Sequence, residues 1–99
     1  MELEKQIFLE TKEFKFEYEI VGDVLVLHLN VTRWSHNVYK LMKGVFDLFI
    51  ADAKAQGYRK LVTFTPNTPF VKLFGGEVVD HMIVNNQYIE AIVWELKQP

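Results

Sequence analysis

One stretch constrains the fold of this chain more than any other. It runs from Ser35 to Gly57 and reads SHNVYKLMKGVFDLFIADAKAQG. Its apolar residues recur at steps of three and four, which places them on one broad face of a helix. These residues are Val38, Leu41, Met42, Val45, Phe46, Leu48, Phe49 and Ala53. Ser35 can accept hydrogen bonds from the free amides of the first turn, and Gly57 stands where a left-handed closing residue is favoured. The stretch therefore predicts one long helix that packs its apolar face on the rest of the chain.

Strand patterns lie on both sides of this helix. Residues 14–21 alternate between apolar and charged side chains, which is the period of a half-buried strand. Gly22 and Asp23 form a tight turn, and residues 24–31 (VLVLHLNV) are nearly all apolar, so we predict a central strand covered on both faces. A β-rich run at 60–65 follows the helix. This strand–helix–strand succession predicts a right-handed crossover with two parallel strands.

The remaining segments complete an α/β pattern. The apolar run at 7–9 favours a first strand, although the flanking Glu and Lys residues suit a helix as well. A capped, proline-led segment predicts a short helix at 70–74. Strands at 77–84 and 87–96 are joined by two asparagines, 85–86, which tolerate the positive φ of a two-residue hairpin. The predicted order is β-β-β-α-β-α-β-β, in one mixed, mostly antiparallel sheet of about six strands.

Length and composition exclude several classes of protein. Ninety-nine residues predict a single domain, 1–99, because two separate cores would be too small to be stable. The chain has no cysteine, which excludes disulfides and thiolate chemistry. It lacks the run of about 20 apolar residues that a membrane span needs, and its acidic start does not resemble a signal peptide, so we expect a cytoplasmic protein. A net charge of −2 gives no electrostatic footprint for nucleic acid.

Over roughly residues 5–96, the order of elements resembles the carboxy-terminal two thirds of the fold of the GNAT family of N-acetyltransferases. Four local features carry the resemblance: Val31 before the helix; residues 53–58 (AKAQGY) before a Leu-Val strand; Asn67 after that strand; and residues 72–76 (KLFGG), where the family ends its short helix. Residues 33–35 (RWS) and 63–66 (TFTP) are also similar to small GNAT-like proteins encoded by bacteriophages.

The family's site residues are matched only in part. A segment Arg/Gln-x-x-Gly-x-Gly/Ala binds the coenzyme A pyrophosphate in the family, where bare backbone amides at a helix start favour anions. Arg33 matches its first position, but His36 and Val38 stand at the glycine positions, where side chains take space that phosphates need. Phe74 stands where the family often has a tyrosine general acid. The resemblance implies a coenzyme site formed by Arg33, Ser35, His36, Asn37 and Asn67, with no catalytic residue retained.

Each candidate also has a purely structural interpretation. The polar residues at 33–37 could form an anion site or only an exposed, capped helix end. His28 could be a base on the central strand or a hydrogen-bonded histidine of the core. The three histidines, at 28, 36 and 81, have no metal-binding spacing, so we expect no metal. Trp34 and Phe70 lie in connections, where packing demands large aromatics less, and they are the predicted contact surface.

Two functional hypotheses follow, and a third is weaker. The first is a catalytically degenerate GNAT-like protein of phage origin, without cofactor, that binds a host or virion protein in the host cytoplasm. The alternative is an N-acetyltransferase that uses acetyl-coenzyme A and has an abbreviated acceptor side. The third is a structural virion component. Two structural predictions accompany them. Strands 24–31 and 60–65 separate at their carboxyl ends, and a homodimer or a heteromeric contact forms through the 77–96 hairpin or the surface around Trp34 and Phe70.

Overall fold

The fold is one six-stranded sheet with a long helix on one face, as seen in a computed structural model that describes residues 5–66 and 74–96. The elements are β1 (Gln6–Glu10), β2 (Phe14–Val21), β3 (Val24–Val31), α1 (His36–Ala55), β4 (Lys60–Thr65), β5 (Glu77–Val84) and β6 (Gln87–Glu95). Their order in the sheet is β1-β2-β3-β4-β6-β5, and of these pairs β3–β4 is parallel. The predicted α/β fold with a mixed, mostly antiparallel sheet is confirmed. The short helix predicted at 70–74 falls, apart from Phe74, outside the described residues.

Turn chemistry fixes two of the hairpins. Gly22 has a φ of 63° between β2 and β3, and Asn85 and Asn86 have φ values of 51° and 64° between β5 and β6. Glycine and asparagine adopt this left-handed region at low cost, so both chain reversals follow from the residues present. The β2–β3 pair then keeps one register from Phe14↔Val31 to Val21↔Val24.

The ends of α1 are those that the sequence predicts. The Ser35 side chain accepts a hydrogen bond from the backbone N–H of Val38 at 3.1 Å, with an extended Ser35 backbone. Gly57 closes the helix with a φ of 89°. The buried line of the helix consists of Val38, Met42, Phe46, Phe49 and Ala53. It packs on inward-facing residues of β2, β3, β4 and β6, among which Phe16, Leu61 and Ile92 are fully buried.

Two leucines of α1 contradict the predicted apolar face. Leu41 is 59% exposed and Leu48 is 66% exposed. They lie one heptad apart and outside the buried line of the helix, where both side chains face solvent. The prediction that both leucines pack inward is therefore wrong.

The sheet face away from α1 is also less covered than predicted. Leu25 and Leu27 of β3 are buried beneath α1, whereas the alternate residues Val26 and His28 are half-buried and Asn30 is exposed. The prediction of a β3 covered on both faces is wrong. Among the described residues α1 is the helix that packs on the sheet, and it covers one face. His28 is accordingly no core histidine; its Nε2 lies 2.7 Å from the Glu19 carboxylate on this second face.

Strand β5 forms one edge of the sheet, paired with β6 alone among the described strands. Its register shifts between Val78 and Asp80, which marks a β-bulge. The Asp80 carboxylate accepts a hydrogen bond from the backbone N–H of His81 at 2.8 Å. Bulges and inserted charges both hinder the pairing of a further strand. The tip of the hairpin nevertheless carries exposed apolar residues, with Ile83 74% exposed.

Candidate functional site

The parallel strands β3 and β4 separate before they end. They pair over four positions, from Val24↔Lys60 to Leu27↔Thr63. Both strands then continue, to Val31 and Thr65, without a further pair. The predicted separation at the carboxyl ends is confirmed.

Thr63 stands at the point of separation. Its buried hydroxyl donates a 2.9 Å hydrogen bond to the Leu27 carbonyl. Alternate residues of a strand direct their backbone N–H and C=O groups to the same neighbouring strand. The Leu27 carbonyl faces β4, so the backbone groups of Leu29 and Val31 face the side that β4 has left. Within residues 5–66 and 74–96, no strand pairs with them there. They line the wall of a gap as hydrogen-bonding groups without a strand partner.

The gap opens into a cleft of about 220 Å³. Its walls are largely aromatic: Trp34, Phe46, Phe64, Phe74 and Trp94. The Trp94 indole N–H donates to the Phe74 carbonyl at 3.0 Å, and the Phe46 ring centroid lies 5.0 Å from that of Phe74 and 5.1 Å from that of Trp94. These contacts hold the far wall of the cleft in one arrangement.

The amino end of α1 lies next to this cleft. Val31 and Trp34 both line it, and α1 begins at His36, two residues after Trp34. The side chains of Arg33, Ser35, His36 and Asn37 are all exposed. The structure thus brings four predicted site residues together at a helix start, where the macrodipole favours anions. Asn67, the fifth, falls outside the described residues.

The two side chains at the family's glycine positions differ in direction. Val38 is buried in the core beneath α1, whereas His36 is exposed at the helix end. The Val38 side chain therefore does not occupy the solvent side of the first turn, where an anion would approach. The steric objection drawn from the sequence reduces to His36.

The cleft offers little acid–base chemistry in its described lining. Thr63 and Thr65 supply its hydroxyl groups, and the other described lining residues are apolar or aromatic. Phe74, which stands where the family often has a tyrosine general acid, is part of the wall and has no proton to transfer. Tyr39, which the sequence patterns did not single out, lies nearby, with its ring centroid 5.9 Å from that of Phe74. The helical spacing of Tyr39 and Phe46, two turns apart, is the signal that could have found it.

The other predicted residues are spread over the molecule. Trp34 is 46% exposed at the mouth of the cleft, and Phe70 falls outside the described residues. His28, His36 and His81 are on different elements, and no group of three His, Cys, Asp or Glu residues in the described ranges could hold a metal ion. No described helix is long and apolar enough to cross a membrane.

Comparison with known proteins identifies the fold of this chain. No protein-family model matches the chain, and no curated protein matches it either. Solved structures do match. Aminoglycoside 6'-acetyltransferase type Ii superposes with a TM-score of 0.74 at 11% identity, over 88% of this chain and 63% of that protein. This is the GNAT acetyltransferase fold.

Two further structures agree with it. The N-acetyltransferase from Staphylococcus aureus gives a TM-score of 0.65 at 12% identity, over 85% of this chain and 60% of its own length. The GNAT superfamily phosphinothricin acetyltransferase from Sinorhizobium meliloti was solved in complex with AcCoA. It gives a TM-score of 0.58 at 8% identity, over 84% of this chain and 61% of its own length. The chain thus spans less than two thirds of each of these three proteins. The likeness is one of fold, and a phage origin stays a prediction.

Proposed function

We propose that this chain binds acetyl-coenzyme A between the separated ends of β3 and β4. The observation that carries the proposal is the separation itself, which leaves hydrogen-bonding backbone beside an aromatic cleft and a helix amino terminus. Ligands of open α/β sheets bind at the carboxyl ends of strands. The fold supports the same ligand, because its structural neighbours are acetyltransferases, one of them in complex with AcCoA.

The backbone fits the central part of this cofactor. The pantetheine arm carries two amide groups, which can exchange hydrogen bonds with a strand edge as another strand would. Leu29 and Val31 present such an edge. The aromatic walls exclude water from the arm and leave an apolar space for the acyl group.

The charged end of the cofactor fits the start of α1. The first-turn amides that the Ser35 cap leaves free and the helix macrodipole, roughly half a positive charge, attract a pyrophosphate. Arg33 adds a permanent positive charge. Its guanidinium makes no hydrogen bond or ion pair with a described residue that would compete with a phosphate. Arginine suits this role because its guanidinium can bind a phosphate in a bidentate manner.

Acyl transfer in this site is proposed to be slow. No described residue that lines the cleft can act as a general acid or base near neutral pH. Loss of a positioned proton donor costs typically about 10²–10⁴ in rate. The second candidate function, a degenerate domain that binds another protein, is favoured by one specific observation, the exposed apolar residues at the tip of the β5–β6 hairpin.

Calorimetric titration with acetyl-coenzyme A tests the cofactor proposal. We expect binding by the wild-type chain and a weakening of about tenfold or more in Arg33→Ala, because one charge-assisted bond contributes about 1.5–3 kcal/mol. Arg59→Ala is the matched control. Arg59 is an exposed arginine at the other end of β4, where it pairs with Asp23 at 3.4 Å, and its loss leaves binding unchanged.

A second variant tests the cleft rather than the charge. Val31→Phe adds bulk to the cleft wall and is expected to weaken acetyl-coenzyme A binding, with thermal unfolding measured in parallel to show that the fold persists. Release of free coenzyme A with small amines as acceptors then measures turnover. Titrations that show no binding by the wild-type chain would reject the cofactor proposal and leave the protein-binding function.

A further inference from the structure

The outer face of α1 carries an apolar line that nothing in the described chain covers. Leu41 and Leu48 are 59% and 66% exposed, and they are seven residues apart. Between and beyond them lie Gly44 and Ala51, both exposed, so that residues 41, 44, 48 and 51 follow the spacing of a coiled-coil seam. We call these four residues the outer line of α1.

Gly44 is the unexplained member of the outer line. A Cβ atom added at Gly44 would meet no heavy atom within 4 Å. Its backbone is helical with no positive φ, so neither turn geometry nor packing among the described residues requires glycine. Glycine inside a helix is destabilising relative to alanine. A close approach to the helix from outside would give a small residue at this place a physical reason.

We infer that a second copy of this chain packs there, with the two α1 helices antiparallel and Leu41 of each copy seated over Gly44 of the other. The antiparallel arrangement has two-fold symmetry, so that this contact is made twice. In the same register Leu48 lies beside the first turn of α1 of the second copy. A large side chain over a glycine lets the two helix backbones approach closely, which buries both exposed leucines.

Charges beside the outer line select this arrangement. The antiparallel register places Lys40 of one copy near Asp47 of the other, again twice. The Asp47 Oδ1 atom already accepts from Lys43 at 2.8 Å, and no described side chain donates to its Oδ2 atom. A parallel pairing along the same line would instead place Asp47 near Asp52 of the second copy, which is repulsive. The helix is therefore complementary to itself in one direction.

The β5 edge of the sheet is a less favourable contact for a second copy than the outer line of α1. The bulge in β5 and the Asp80–His81 hydrogen bond obstruct continuation of the sheet across its edge. An interface of one helix on each side is small, and interfaces of this size are usually weak. We therefore expect dissociation constants of about 1–100 μM.

Sedimentation equilibrium with Gly44→Gln tests the inference. The added side chain fills the seat of Leu41, so the dissociation constant rises at least about tenfold, while the substitution favours the helix of the monomer. Ala55→Gln is the matched control, since residue 55 is exposed on the same helix but beyond the overlap. It leaves the dissociation constant unchanged. Because Gly44→Gln does not weaken the monomer, a loss of dimer cannot be attributed to unfolding.

Charge reversal distinguishes the antiparallel register from other contacts. Lys40→Glu and Asp47→Lys each weaken the dimer, and the double variant regains most of the loss because both intermolecular pairs are restored with reversed signs. A wild-type chain that stays monomeric at roughly millimolar concentration would overturn the inference. So would a dimer whose dissociation constant is the same with Gly44→Gln, or a double variant no better than the single ones.

Discussion

The two ends of the β3–β4 pair differ in how completely their backbone groups are used. At the amino ends, four consecutive positions are paired, and the flanking Arg59 backbone donates to Asp23 O and accepts from Leu96 N, both at 2.8 Å. At the carboxyl ends, no pair follows Leu27↔Thr63, although both strands continue. One end is closed by hydrogen bonds and the other is left as a cleft.

This difference teaches where a small fold can place a binding site. A backbone group that is buried without a partner costs free energy comparable to a lost hydrogen bond. The chain leaves backbone groups without a strand partner at the carboxyl ends of β3 and β4, beside the start of α1, and holds the two strands together at the closed end. The walls of the candidate site are the continuation of fixed strands, so that their positions do not depend on a ligand.

The largest expected effect comes from making the same substitution at both ends. Leu61 is fully buried at the closed end, and Leu29 is half-buried in the cleft wall. Leu61→Ala should lower the free energy of unfolding by about 2–5 kcal/mol, because it leaves a cavity in a filled core. Leu29→Ala should cost less than half as much, since it enlarges a space that already exists. Urea denaturation measures both, and equal losses would remove the distinction between the two ends.

A smaller effect is expected at the boundary between them. Thr63→Val keeps the shape of the side chain but removes the hydroxyl that donates to Leu27 O. We expect a loss of about 0.5–1.5 kcal/mol in the free energy of unfolding, as for a typical buried hydrogen bond.

Thr32→Val is its control. The Thr32 hydroxyl also donates to a backbone carbonyl, that of Lys12 at 2.8 Å, but in an exposed position. Water can replace that bond, so the control should lose less. If Thr32→Val proved the more damaging variant, the Thr63 bond would not be what closes the pair.

The smallest effect is expected for the ion pair at the closed end. Arg59 and Asp23 side chains lie 3.4 Å apart and are 72% and 53% exposed. Exposed pairs contribute about 0.2–1 kcal/mol at most, and salt screens them. Arg59→Ala should therefore change the thermal unfolding midpoint slightly in low salt and not at all in about 1 M salt. A large, salt-independent loss would show that the backbone bonds of Arg59 depend on its side chain.

Local chemistry explains which parts of the fold could be predicted from the sequence. Ser35, Gly57 and the Asn85–Asn86 pair act on their immediate neighbours, and the helix limits and hairpin followed from them. The separation of β3 and β4 was also predicted, from the rule that open α/β sheets bind ligands at the carboxyl ends of their strands. What depends on coverage could not be predicted. Periodicity shows that Leu41 and Leu48 are apolar, but it does not show whether the sheet extends beneath them.

The candidate site divides in the same way. Residues 33–37 were placed correctly at the start of α1, because a cap and a helix start are encoded together. The Thr63–Leu27 bond and the Trp94–Phe74 bond join segments 36 and 20 residues apart. No single-sequence pattern connects such positions. The direction of Val38 was misjudged as an obstacle for phosphates, since a family motif gives the position of a residue but not which way its side chain points.

The carboxylate of Asp80 has a consequence for aggregation at high protein concentration. Residues 77–84 form a strand rich in valine, isoleucine and methionine, the composition from which fibrils grow when identical edges meet. Growth requires each backbone donor on the edge to find an acceptor in the next molecule. At His81 that donor is already occupied, by the chain's own side chain. A single acidic residue thus occupies one backbone donor in the middle of the segment, and this hinders the addition of an identical edge strand.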